Sequence, residues 1–121
     1  MIQDTILIVD DDEPTSRSLE QSIGKSGYQI RLAPDGFVAI RIVQTELVHL
    51  VILDVNLPVR RGIVTLREIK QIKPQLPVIM MTANPSKEVM VEALEEGAYS
   101  FLQKPLDIFY LRKIIQELLG V

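Results

Sequence analysis

Short apolar runs in this sequence lead directly into residues able to do acid–base, metal or phosphate chemistry. Ile6–Val9 runs into Asp10-Asp11-Asp12, Leu50–Leu53 into Asp54, Val78–Met81 into Thr82, and Ser100–Gln103 into Lys104. If these runs are parallel strands of one sheet, their ends converge on one edge. Carboxylates gathered in one place repel each other, and a bound cation relieves that repulsion. The donors are oxygens, since the chain has no cysteine and its one histidine, His49, lies elsewhere. Such a set favours a hard ion, Mg²⁺ (or Mn²⁺), that keeps part of its water shell. Carboxylates, a metal, a hydroxyl and a lysine make sense together around a visiting phosphoryl group, whose oxygens they would stabilise. A carboxylate can also be the nucleophile, giving an aspartyl phosphate.

Each residue has a plainer reading. Aspartates ahead of a helix serve as caps and dipole partners. Asp54 after Val-Ile-Leu fits an ordinary strand-to-turn aspartate, and a lone Lys-Pro or Thr-Ala carries almost no information. The site is favoured because all of these residues fall at the ends of apolar runs. His49 precedes the third run, away from the aspartates, and reads as a solvated loop residue rather than a phosphohistidine relay. Met80 and Met81 read as core packing, and Glu92, Glu95 and Glu96 as a solvated helix face.

The elements that must position these residues alternate along the chain. Apolar runs at Ile6–Val9, Tyr28–Leu32, Leu50–Leu53, Val78–Met81 and Ser100–Gln103 are each followed by a helix-length segment. That alternation predicts βαβ units on a parallel sheet. The first, third and fourth runs are continuously apolar, as strands covered on both faces are. The second alternates and the fifth is short and polar-ended, so those two read as edges. Pro14 suits a first helical turn, and Gly27 can close that helix. Asp35 reads as an N-cap for a second helix reaching about Glu46. A third runs from about Gly62 to Lys73, ended by Pro74. Ser86 caps a fourth, terminated by Gly97, and Asp107 a fifth carrying Leu111, Ile115 and Leu118 on one face. With the second and fifth strands at the edges, right-handed crossovers give the order 2-1-3-4-5, a doubly wound α/β sheet with helices on both faces. Ligands bind such sheets beyond the carboxyl ends of the strands, where the winding reverses.

At 121 residues the chain reads as one domain, residues 1–121. Its 47% hydrophobic and 24% charged residues are ordinary for a globular protein that buries a core without disulfides. The absence of cysteine suits a reducing cytoplasm. No apolar stretch approaches the length needed to span a bilayer, and no basic segment precedes an apolar one as in a signal peptide. The net charge is −3 with scattered bases, which argues against direct nucleic-acid binding.

With these residues in view, the chain resembles the receiver domains of bacterial two-component response regulators, from Ile6 to about Leu119. The likeness rests on Ile6-Leu-Ile-Val-Asp-Asp-Asp12, Val51-Ile-Leu-Asp-Val-Asn-Leu-Pro58 with Gly62, Val78-Ile-Met-Met-Thr-Ala83, and Gly97-Ala-Tyr-Ser-Phe-Leu-Gln-Lys-Pro105. The resemblance implies a flavodoxin-like fold and a phosphorelay role. Asp54 would receive the phosphoryl group from a sensor histidine kinase or phosphotransfer protein, and an output domain or downstream protein would read the change. It implies that Asp11 and Asp54 bind Mg²⁺ through carboxylates, Asn56 through its backbone carbonyl, and Asp10 through metal-bound water. Lys104 and Ala83 would contact the phosphoryl group, Thr82 would swing toward it, and Phe101 would be the aromatic switch. The Lys104–Pro105 peptide bond is expected to be cis on the same ground. Arg61 and Leu106 depart from common family residues without touching this chemistry. The segments around Leu66-Arg-Glu-Ile-Lys and Gly97-Ala-Tyr-Ser-Phe look most like receivers attached to transcriptional activators.

Two other functions compete. A haloacid-dehalogenase-like phosphatase also uses an aspartate nucleophile, Mg²⁺, a Thr and a Lys, but its second aspartate is replaced here by Asn56, which cannot transfer protons. No cap insertion is present either. A flavodoxin-like FMN binder would need flavin-stacking aromatics and a Ser/Thr-rich loop after the first strand. The expectation is therefore a phosphoacceptor switch, not an enzyme acting on external substrates. Phe109 and Tyr110 give the fifth helix spare apolar surface, which points to a phosphorylation-dependent homodimer through helix 4, strand 5 and helix 5.

Overall fold

The computed structural model describes residues 3–120. Strands β1 (Thr5–Val9), β2 (Gln29–Ala33), β3 (Leu50–Asp54), β4 (Val78–Thr82) and β5 (Ser100–Gln103) alternate with helices α1 (Glu13–Gly24), α2 (Gly36–Thr45), α3 (Gly62–Ile72), α4 (Lys87–Glu95) and α5 (Ile108–Leu119). All pair in parallel, in the order β2-β1-β3-β4-β5. The doubly wound sheet expected from the alternation is the sheet found.

The continuous apolar runs are explained by what lies on each side of them. Leu7, Val9, Val51, Leu53, Val78 and Met80 face a core shared with α2, α3 and Ala93 of α4. The intervening Ile6, Ile8, Leu50, Ile52, Ile79 and Met81 face a second core with α1 and α5. Successive strand residues point to opposite faces, so a strand covered twice must be apolar throughout. Met80 and Met81 are accordingly core residues, one on each face. Fully burying such a side chain contributes about 1.5–3 kcal/mol, whereas an exposed ion pair contributes about 0–1 kcal/mol. Surface pairs such as Arg17–Glu13 are therefore minor contributors next to the two cores.

The helix starts follow local chemistry. Asp35, Ser86 and Asp107 each accept a backbone N–H of the first turn, from Val38, Val89 and Tyr110 respectively. Pro14 lies in the first turn of α1. Several boundaries differ from their expected places: β1 begins one residue earlier, at Thr5, and β3 and β4 each run one residue further, through Asp54 and Thr82. β2 is displaced by one residue, to Gln29–Ala33, because Gln29 rather than Tyr28 comes level with Thr5 in the ladder. Helix α1 ends at Gly24, and Gly27 (φ 93°) shapes the following turn instead of closing the helix.

Strand register places the site. Val9 is level with Leu53, which brings Asp10 and Asp54 side by side one step further on. Asp54 is level with Met81, so Thr82 stands one step beyond it, and Thr82 is level with Gln103, so Lys104 follows one step further.

Candidate metal and phosphoryl site

Asp10 and Asp54 are charged groups set in a wall of the core, 3% and 4% exposed. Burying an unpaired carboxylate is costly, and two kinds of contact offset it here. The Lys104 Nζ donates to Asp10 Oδ2 at 2.6 Å and to Asp54 Oδ2 at 2.8 Å. The backbone N–H of Asp12 donates to Asp10 Oδ1, and that of Asn56 to Asp54 Oδ1, both at 2.9 Å. Burial nevertheless pushes the Asp54 carboxyl up, helped by Asp10, against the opposing pull of Lys104 and the Asn56 N–H. For Lys104 burial acts to lower the pKa, but its bonds to the two carboxylates outweigh this and hold the ammonium more firmly protonated. The Lys104–Pro105 bond is cis, and the Lys104 backbone N–H donates to the Thr82 carbonyl at 2.8 Å.

One carboxylate oxygen from each of Asp10, Asp11 and Asp54 lies within 4.8 Å of the others. Two are buried and Asp11 is exposed at the rim. With oxygen donors only and three negative charges around one point, the set fits a hard divalent ion. Asp12 is not part of it. Its side chain accepts the Thr15 hydroxyl within the first turn of α1, as the reading of an aspartate directed along the helix start requires. Asp11→Ala is therefore expected to weaken Mg²⁺ binding at least tenfold and Asp12→Ala less than threefold, each tenfold being about 1.4 kcal/mol. Calorimetric titration of the two variants checks this, and equal losses would misplace the acidic run by one residue.

Thr82 is 1% exposed. Its hydroxyl oxygen accepts the Asn56 side-chain amide at 3.2 Å and the Asn84 backbone N–H at 3.1 Å. The Asn84 bond is local, whereas no sequence pattern links Thr82 to Asn56, 26 residues away. Ala83 follows, exposed at the mouth. Phe101 on the β5 edge is partly buried against the α2–α3–α4 core. Met80 comes level with it on the adjacent strand.

Gly62 explains how α3 begins so close to the acceptor. A Cβ at this position would lie 2.1 Å from the Asp54 carbonyl oxygen and 2.8 Å from Val55 Cα. The Gly62 N–H donates to the Val55 carbonyl at 2.9 Å. Arg61 precedes it as the exposed N-terminal flank of α3.

His49 corrects an expectation. It is a loop residue, as expected, but only partly solvated: Nδ1 accepts the Thr5 backbone N–H at 2.9 Å, the imidazole is 26% exposed, and Nε2 lies 3.5 Å from Asp4. The ring replaces a ladder partner where β1 starts beside β3, at the edge opposite the carboxylates. Glu95 at the end of α4 is exposed as expected, while Glu92 is half-buried and Glu96, just past the helix, is engaged by Arg67 at 3.1 Å.

A sequence model of the response regulator receiver domain matches residues 6–116, and the chain belongs to that family. Transcriptional regulatory protein ZraR of Escherichia coli (strain K12) is 40% identical over 115 residues, covering 95% of this chain and 26% of ZraR. Regulatory protein AtoC of the same strain is 34% identical over 114 residues, 94% of this chain and 25% of AtoC. The chain thus spans about a quarter of the length of these relatives. The receiver domain protein (CheY-like) from Methanospirillum hungatei JF-1 superposes with a TM-score of 0.93 at 29% identity, over 96% of this chain and 93% of that one. No helix among the described residues is long and apolar enough to cross a membrane.

Proposed function

We propose that Asp54 is the phosphoacceptor, taking its phosphoryl group from a sensor histidine kinase or a phosphotransfer protein. The observation that carries this is the Lys104 ammonium held between two buried carboxylates, Asp10 and Asp54, with Asp11 at the open rim. An Asp54 carboxylate oxygen forms the new O–P bond while the bond from phosphorus to the donor imidazole nitrogen breaks, and the imidazole leaves with the electron pair and takes up a proton. Lys104 then pairs with the phosphoryl oxygens, and Ala83 contacts them from the end of β4. Asp11 and Asp54 would hold Mg²⁺ or Mn²⁺ by carboxylates, Asn56 by its carbonyl, and Asp10 through metal-bound water. Once bound, the ion would supply charge neutralisation for the phosphoryl oxygens.

Thr82 is the switch on this reading. Swinging its hydroxyl to the phosphoryl group requires giving up the Asn56 amide bond, and the space it vacates lies beside the strand that carries Phe101. A phosphoryl group adds about −1.5 to −2 charge, so the Thr82–Phe101 pair would pass a strong local change to α4, β5 and α5. There Phe109 is 83% and Tyr110 52% exposed, with Val91 and Leu94 of α4 also uncovered. Neither aromatic is used up in packing, which supports self-association on phosphorylation. Sedimentation with and without beryllofluoride is expected to show a dimer only with it. An unchanged monomer at high micromolar concentration would leave a heterologous output partner as the reader of this face.

The chain would act in the cytoplasm as a regulated switch, catalysing only its own phosphorylation and dephosphorylation. The phosphatase alternative loses support because the Asn56 amide is bonded to Thr82 and, being non-ionisable, cannot serve as a general acid or base. Acetyl phosphate with Mg²⁺ is expected to add one phosphoryl group by intact mass, with no turnover of p-nitrophenyl phosphate.

A further inference from the structure

The loop that leaves Asp54, residues 55–61, carries a strain that its own exposed residues do not explain. Val59 is 92% exposed yet adopts φ 66°, a region that β-branched residues occupy only when their surroundings enforce it. The Arg60 N–H donates to the Pro58 carbonyl at 2.5 Å, closing a tight three-residue turn around Val59. The exposed Val59 side chain cannot supply the restraint, so neighbouring residues must.

Arg60 is the neighbour built to do so. Its guanidinium lies 4.9 Å from the centroid of the Phe37 ring and pairs with Glu68. Its Cδ passes 3.3 Å from where a Cβ on Gly36 would stand, so the stem lies against the first turn of α2. Only 20% of the side chain is exposed, and partial removal from water strengthens both the stacking and the ion pair. Phe37 and Gly36 belong to α2 and Glu68 to α3, so one side chain pins the loop to two helices. The same loop carries Asn56, bonded to both Asp54 and Thr82.

We propose that Arg60, stacked on Phe37 and paired with Glu68, is a positioning residue that holds the loop against the strain at Val59 and thereby fixes the Asn56 carbonyl for the metal. The inference rests on the metal reading given above. It makes a prediction opposite in sign to simple electrostatics. Removing a positive charge near a dication site strengthens the ion's binding by Coulomb's law, whereas loss of positioning weakens it.

The test is a titration of the 121-residue chain with MgCl₂ alone, followed by backbone amide NMR shifts. Saturable binding by the unsubstituted chain establishes the metal site, and its absence overturns that site rather than the role of Arg60 specifically. Arg60→Ala is expected to weaken Mg²⁺ binding at least threefold, and adding Val59→Gly, which removes the strain, restores it to within twofold. Phe37→Leu and Glu68→Gln each remove one contact and are expected to give partial losses, which keeps the test available should Arg60→Ala fail to fold. Unchanged or tighter binding in Arg60→Ala overturns the proposal. So does a loss that Val59→Gly fails to restore, because strain would then not be what Arg60 opposes.

Discussion

Asp54→Asn is expected to abolish incorporation from acetyl phosphate, leaving an unshifted intact mass where the unsubstituted chain gains one phosphoryl group. An amide lacks the carboxylate's nucleophilic oxygen, and no neighbour is placed to replace it. Asp10 is buried with one oxygen on Lys104 and the other on the Asp12 N–H. Asp11 is exposed at the rim, whereas the ammonium that would pair with the phosphoryl group is bonded to Asp10 and Asp54. The substitution is also expected to leave the fold intact. Burial already disfavours the charge on Asp54, and Lys104 keeps its bond to Asp10 when Asp54 is neutralised, so the substituted chain is expected to show a cooperative urea transition. That separation matters: labelling is lost by a folded protein. Equal labelling of the substituted chain would remove Asp54 from the mechanism.

What the sequence disclosed and what it hid divide along a physical line. The strands, the caps at Asp35, Ser86 and Asp107, and the convergence of Asp10, Asp54, Thr82 and Lys104 follow from periodicities and from the geometry of parallel sheets. They need no knowledge of distant contacts. The helix end at Gly24 was harder to place, because Gly24 and Gly27 offer competing stops only a few residues apart. The hidden features are pairs of residues far apart in the chain. Nothing in the spacing of Thr5 and His49 announces that an imidazole will take the place of a ladder acceptor. Arg60, Phe37 and Glu68 read singly as a loop arginine, an exposed aromatic and a helix-surface acid. Their meaning appears only when α2 and α3 pack together. Lys104 lies between these cases: its place at a strand end was legible, but the double bond to Asp10 and Asp54 is a product of the register.

Gly62→Ala is expected to be the most damaging single-methyl change in the chain. The added carbon would stand 2.1 Å from the Asp54 carbonyl oxygen and 2.8 Å from Val55 Cα. Both are backbone atoms and cannot rotate away as a side chain would. Asp54 and Val55 cannot retreat either, since the Val55 N–H is bonded to the Met81 carbonyl at 2.9 Å and the Val55 side chain is buried. The start of α3 must therefore move outward, breaking the bond from the Gly62 N–H to Val55 and loosening Ile63 and Leu66 from the core. Overpacking a well-packed core costs about 1–3 kcal/mol, and the lost hydrogen bond adds roughly 1 kcal/mol. The sum, about 2–4 kcal/mol by urea denaturation, is a large share of the roughly 5–15 kcal/mol that holds a domain folded. Alanine is otherwise favoured over glycine inside a helix by about 1 kcal/mol, so propensity alone predicts the opposite sign. A neutral or stabilising result would mean that α3 can slide away from the acceptor at little cost. The acceptor loop would then be set by contacts other than the close approach of Gly62 to Asp54.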